Sequence, residues 1–165
     1  MPIGEWAIYE ACRINKAWQD AGYEPITIAV NISPRQFHHQ DVVKIISDTL
    51  VKANLDPAYL EVEITESAVM DNIELTIEKL NAIHAMGVRI SIDDFGTGYT
   101  SINYLRQYPV SVLKIDQTFI KGLPDNQSDV AITSAVIALG HLIGNDDSLD
   151  LGDNPVQLFP QGAVE

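Results

Sequence analysis

Four short runs of β-branched and aliphatic residues punctuate the chain, at 26–30, 60–64, 88–92 and 110–115, and segments with helical spacing lie between them. This alternation limits the chain more than any other feature, because it dictates a parallel sheet whose strands are joined by helical, right-handed crossovers. A leading helix is predicted over 5–21, with Trp6, Tyr9, Ile14 and Trp18 near helical spacing and Gly22 as its stop. The run at 26–30 reads as a strand buried on both faces. Ser33-Pro34 starts a short helix, and Asp41 caps a longer one through Ala53 with Val43, Ile46 and Leu50 on one face. Asp56-Pro57 makes a turn. Residues 72–85 carry Ile73, Ile77, Leu80 and Ile83 inward and end at Gly87. A short helix is predicted over 99–107, and a last one over 129–142 on Ile132, Val136, Leu139 and Ile143, capped by Ser128.

The pattern is βαβαβαβα behind a leading helix, an α/β fold. It does not choose between an open doubly wound sheet and part of a barrel. A closed (β/α)₈ barrel typically takes about 250 residues, and this chain has 165. No fixed repeat is present, which disfavours a solenoid.

Charge narrows the partners. Twenty-three acidic residues stand against ten basic ones, a net charge of -13. DNA and RNA backbones require Lys/Arg clusters, so the acidic balance argues against them as ligands. A phosphate ligand is not excluded, because a divalent cation can bridge it to carboxylates. Residues 145–165 hold Asp146, Asp147, Asp150, Asp153 and Glu165, no Lys or Arg, and two prolines. They are expected to form a disordered acidic tail behind a domain at 1–144. The single Cys12 rules out an internal disulfide and reads as a small apolar helix residue. No apolar run has membrane-spanning length and no secretory signal is visible, so the expected location is the cytoplasm. His38, His39, His84 and His141 show no ligand spacing.

Each strand run stops at a polar cluster: Asn31-Ile32-Ser33, Glu63-Ile64-Thr65-Glu66, Asp93-Asp94 and Lys114-Ile115-Asp116. In parallel α/β folds the C-terminal strand ends form the functional rim. Asn31, Glu63, Asp93, Asp94, Lys114 and Asp116 are therefore expected to converge. Carboxylates and an amide carbonyl are oxygen ligands for Mg²⁺, Mn²⁺ or Ca²⁺. Adjacent Asp93 and Asp94 repel one another unless a cation lies between them. Lys114 can orient a water or offset phosphate charge. Gly96-Thr97-Gly98 is not a dinucleotide fingerprint, since Ser101 stands where the third glycine belongs. It is expected to make a mobile loop beside the paired aspartates.

At these residues the chain resembles the EAL domain family of bacterial cyclic di-GMP phosphodiesterases. The carrying segments are Ala29-Val30-Asn31-Ile32-Ser33, Leu60-Glu61-Val62-Glu63-Ile64-Thr65-Glu66, Ile92-Asp93-Asp94-Phe95-Gly96-Thr97-Gly98-Tyr99 and Leu113-Lys114-Ile115-Asp116. Pro34-Arg35-Gln36-Phe37 and Ala138-Leu139-Gly140-His141 add to them. The resemblance implies a partial (β/α)₈ TIM-like barrel with about four parallel strands and their helices. It implies opening of cyclic di-GMP to pGpG with Mg²⁺ or Mn²⁺ in a two-metal site. It makes Asn31, Glu63, Asp93 and Asp94 metal ligands, Lys114 the residue that positions the attacking water, and Asp116 a supporting acid. Glu66 would anchor the loop at 95–106, through which relatives form homodimers and couple to sensory or diguanylate cyclase domains.

The departures bear equally on function. The Glu-Ala-Leu segment that names the family, with its metal-binding Glu and phosphate-contacting Arg, is not in this sequence. Neither is the Ala-Glu-Gly-Val-Glu segment that holds the expected general base. The chain thus reads as a family member truncated at both ends, with the tail as unrelated sequence. Two readings stay open: a phosphodiesterase piece with weak or no turnover, and a non-catalytic module that binds cyclic di-GMP or a protein. A half barrel of this kind is expected to expose apolar strand faces and to be marginal or self-associating.

Overall fold

A computed structural model describes residues 2–98 and 102–143. The expected tail at 145–165 and residues 99–101 of the expected 99–107 helix lie outside the described residues, as do the side chains of His141 and Ile143. The elements run α1 (Ile3–Asp20), β1 (Ile28–Ile32), α2 (Pro34–His39), α3 (Val42–Ala53), β2 (Leu60–Thr65), α4 (Glu66–Met70), α5 (Ile73–Ala85), β3 (Arg89–Phe95), α6 (Ile102–Leu105), β4 (Val112–Ile115) and α7 (Gln127–Ile143). Short 3₁₀ turns at Pro57–Tyr59 and Gln117–Phe119 precede β2 and follow β4.

The sheet is parallel in the order β1-β2-β3-β4. Each strand lies beside its predecessor, so the winding never reverses. A doubly wound sheet must reverse at a switch point. Sequential order therefore settles the choice in favour of an arc of a barrel.

Helix boundaries follow the expected capping chemistry with one exception. Ser33 Oγ accepts from the Gln36 amide at 3.2 Å, with Pro34 at the first helical position. Asp41 Oδ1 accepts from the Lys44 amide at 3.0 Å. Gly22, at φ 85°, ends α1 while the Tyr23 amide reaches back to the Trp18 carbonyl. The exception is α7. Asn126 Oδ1, not Ser128, accepts from the amides of Ser128 and Asp129, at 2.9 and 3.4 Å. The helix starts two residues earlier than hydrophobic spacing alone indicates, because its first turn is polar.

The core lies between the helices and one face of the sheet. Val30, Ile32, Leu60, Val62, Ile64, Ile90, Ile92, Leu113 and Ile115 meet Ile8 and Cys12 of α1, Val42, Ile46 and Leu50 of α3, Leu80 and Ile83 of α5, and Val136 of α7. Each such side chain contributes about 1.5–3 kcal/mol by leaving water. Cys12 is fully buried, as a small apolar helix residue should be. The buried face of α1 is Ile8, Cys12 and Asn15, whereas Trp6 and Trp18 are about half exposed. Asn15 is buried because its Nδ2 donates to the carbonyls of Ile26 and Tyr59, at 2.9 and 3.2 Å. Strand β1 begins at Ile28 instead of Ile26, and the Ile26 carbonyl is met by Asn15.

The other face of the sheet corrects two expectations. Side chains alternate along a strand. The residues facing away from the helices are therefore Ala29 and Asn31, Glu61, Glu63 and Thr65, Arg89, Ser91 and Asp93, and Val112 and Lys114. Only Ala29 and Val112 are apolar. Strand β1 is accordingly not buried on both faces: Ala29 and Asn31 are exposed. Nor does the arc expose apolar strand faces, because its uncovered face is polar.

Candidate functional site

The register assembles the rim. Asn31 pairs with Glu63, which pairs with Ser91, and Thr65 pairs with Asp93. Three strand ends thus present Asn31, Glu63 and Asp93 on the polar face. Lys114 joins from β4. Its Nζ donates to Glu63 Oε1, and the two side chains are only 14% and 9% exposed. Asn31 lies exposed at the outer edge of the row.

Asp93 and Asp94 are sequence neighbours, and in a regular strand they would point to opposite faces. They do not stay regular. The β3–β4 register breaks between Ile92 and Phe95, and Asp94 takes a left-handed conformation at φ 55°. Asp tolerates that region better than most residues do. The Thr97 hydroxyl and amide donate to the Asp94 carbonyl at 2.8 and 3.4 Å and hold the turn. This bulge sets the Asp94 carboxyl beside that of Asp116.

The electrostatics follow. Burial, opposed by the Asp94 amide and Lys114, holds Asp93 above the usual carboxylate range. Burial and then the charges of Asp93 and Asp116 push Asp94 up. Asp116 moves the other way: its Oδ1 accepts from the Thr118 hydroxyl at 2.5 Å and the Thr118 amide at 2.7 Å, which favours the ionised form. Asp94 and Asp116 are thus shifted in opposite directions, Asp94 up and Asp116 down. Thr118 was invisible to hydrophobic periodicity, but an Asp two residues before a Thr is a turn-capping signal.

Glu66 is 2% exposed and its Oε2 accepts from the amides of Gly96 and Gly98, at 2.8 and 3.0 Å. It thereby joins the end of β2 to the loop after β3. At Gly98 a Cβ would stand 2.9 Å from the Glu66 carboxyl carbon. Gly96 needs its φ of 101° and lies against Phe119.

The rim fits a hard divalent cation in kind. Its donors are oxygens, and two of its carboxyls are held up by burial and crowding that a cation would relieve. The donors are not gathered as a cage. Among the described residues no three His, Cys, Asp or Glu side chains stand together as a metal cluster, and Glu63 is turned to Lys114. A surface groove of about 520 Å³ lies elsewhere, between α1 and α3. Its lysines are already engaged, Lys44 with Asp48 at 2.7 Å and Lys52 over the Tyr9 ring at 4.2 Å. No helix among the described residues is long and apolar enough to cross a membrane.

The chain is similar to known proteins in sequence and fold. The signaling protein YkoW of Bacillus subtilis is 47% identical over 97% of this chain and 20% of its own length. The bifunctional diguanylate cyclase/cyclic di-GMP phosphodiesterase MucR of Pseudomonas aeruginosa is 45% identical over 86% of this chain and 21% of its own. The chain thus spans about a fifth of the length of these relatives. A solved structure of the MucR phosphodiesterase in complex with c-di-GMP superposes with a TM-score of 0.81 at 45% identity, covering 86% of this chain and 57% of that one. The EAL domain of Mycobacterium smegmatis DcpA gives a TM-score of 0.77 at 37% identity, covering 86% and 64%. The YkoW alignment, at 97% of the chain, runs on past residue 145, into sequence expected to be unrelated. The EAL domain profile matches residues 1–145, and with that span, this barrel arc and these relatives the chain belongs to the EAL domain family.

Proposed function

We propose that this chain carries the metal- and phosphate-facing rim of a cyclic di-GMP phosphodiesterase. The observation that carries the reading is its likeness to the MucR phosphodiesterase bound to c-di-GMP, at a TM-score of 0.81 and 45% identity. The reaction is hydrolysis of one phosphodiester to give pGpG. Water forms a new bond to phosphorus, and the bond from phosphorus to the ribose oxygen breaks, with a proton passing to that oxygen.

Asn31, Glu63, Asp93 and Asp94 would hold Mg²⁺ or Mn²⁺. Such an ion supplies an activated water and neutralises phosphate charge. The residues themselves do the rest. Lys114 brings a cation to the floor of the rim, where it meets a phosphate oxygen or orients the water. Asp116, whose ionised form Thr118 favours, stands beside Asp94 and would orient that carboxyl. Glu66 holds the loop that begins at Gly96 against the strand ends. The bulge at Asp94 lets two consecutive carboxyls serve one rim.

Slow turnover is expected from the 165 residues alone, because they contain no Glu-Ala-Leu segment and no Ala-Glu-Gly-Val-Glu segment. The deciding measurement is formation of pGpG from cyclic di-GMP with Mn²⁺, in wild type and Asp93→Asn. A slow rate that Asp93→Asn abolishes supports the reading. Binding of cyclic di-GMP without any turnover moves it to a binding module. No binding and no turnover defeats it.

A further inference from the structure

Of the six rim residues, one is a cation, and it is bonded to a carboxylate that the metal would need. The Lys114–Glu63 pair is largely shielded from water, where attraction between opposite charges is strong and salt screens it little. Two carboxyls of the row have other engagements or crowding: Asp94 is turned to Asp116, and Asp93 is flanked by the charges of Glu63 and Asp116. The Asn31 amide is neutral. Glu63 is thus the donor whose release decides whether the oxygens can close around an ion. The Lys114 charge also repels any second cation brought to Glu63.

We infer that Lys114 and a divalent cation compete for the Glu63 carboxylate, so that Lys114 sets how tightly the rim holds its metal. This rests on the reading of the rim as a metal site. A consequence concerns the ligand. A phosphodiester oxygen arriving at Lys114 gives it another anionic partner and frees Glu63. Metal and phosphodiester then bind cooperatively, each raising the affinity for the other by the same factor.

The test is a Mn²⁺ titration of the full chain, followed by the paramagnetic resonance signal of the free ion. Wild type is compared with Lys114→Met, Glu63→Gln, their double variant and Asp93→Asn. Lys114→Met is expected to tighten Mn²⁺ binding roughly tenfold, less than a full buried pair is worth because Glu63 also loses a compensating charge. That gain is expected to vanish when Glu63 is already Gln. Saturating cyclic di-GMP is expected to tighten Mn²⁺ on wild type and to leave Lys114→Met unchanged. Equal or weaker Mn²⁺ affinity in Lys114→Met overturns the competition, and so does an equal gain with and without Glu63. Failure of the metal-site reading looks different: Glu63→Gln and Asp93→Asn then bind Mn²⁺ as wild type does. Should circular dichroism show Lys114→Met to be unfolded, Lys114→Gln, which keeps a polar end, takes its place in the same comparisons.

Discussion

Asp93 illustrates how a functional carboxyl works against the fold that carries it. Its pKa is raised by burial, so the native chain holds that proton more tightly than the unfolded chain does. Its contribution to stability is therefore full below the ordinary carboxylate pKa of about 3.9, and it is lost as pH rises through the raised value. Asp94 has the same sign, and Asp116, lowered by Thr118, has the opposite one: its contribution is present at neutral pH and lost on acidification. Asp93→Asn removes the charge that burial disfavours. Its urea midpoint is expected to exceed that of wild type at pH 7, and the gap should close toward pH 4. A gap that stays constant with pH would place the effect in packing instead of charge. The identity of these residues was legible in the sequence, since each strand run stops at a polar cluster. The bulge that makes Asp93 and Asp94 cooperate was not, because a left-handed φ at an Asp leaves no periodic trace. Asn15 was likewise missed. It follows Ile8 and Cys12 at helical spacing, yet a polar residue is not counted toward a buried face, and its partners are carbonyls far away in sequence.

At the scale of elements, the strands, α3 and α5 followed their hydrophobic periods, α1 buried Ile8, Cys12 and Asn15 in place of the face marked by Trp6 and Trp18, and other departures arose where polar chemistry sets a boundary. The α7 helix is the clearest case. The Asn126 side chain, not that of Ser128, satisfies its first free amides. Asn126→Ala should destabilise the chain by about 1 kcal/mol, and Ser128→Ala by less than about 0.5 kcal/mol, both read from chemical denaturation. A larger loss from Ser128→Ala would return the cap to the position that spacing indicated. The α4 helix was not foreseen at all, because five residues are too few to show a period. It starts at Glu66, whose carboxylate is spent on the Gly96 and Gly98 amides. The same short element therefore ends β2 and fixes the loop after β3.

For the whole molecule, the order β1-β2-β3-β4 leaves β1 and β4 each with one neighbour among the described strands. Unpaired strand edges recruit other edges. Sedimentation of the 165-residue chain is expected to show concentration-dependent association, and a single monomeric species across concentrations would refute that. The polar uncovered face does not drive this association, since only Ala29 and Val112 on it are apolar. That face has a further, calorimetric consequence. Heat capacity of unfolding rises with apolar surface newly exposed and falls with polar surface newly exposed. Here the sheet hides apolar side chains mainly on one side, and the other side meets water with Asn31, and in part with Glu61, Thr65 and Arg89. The increment per residue should lie below the about 12–15 cal/mol/K of ordinary domains. The chain's stability would then vary little between cold and warm conditions, with a broad, shallow maximum.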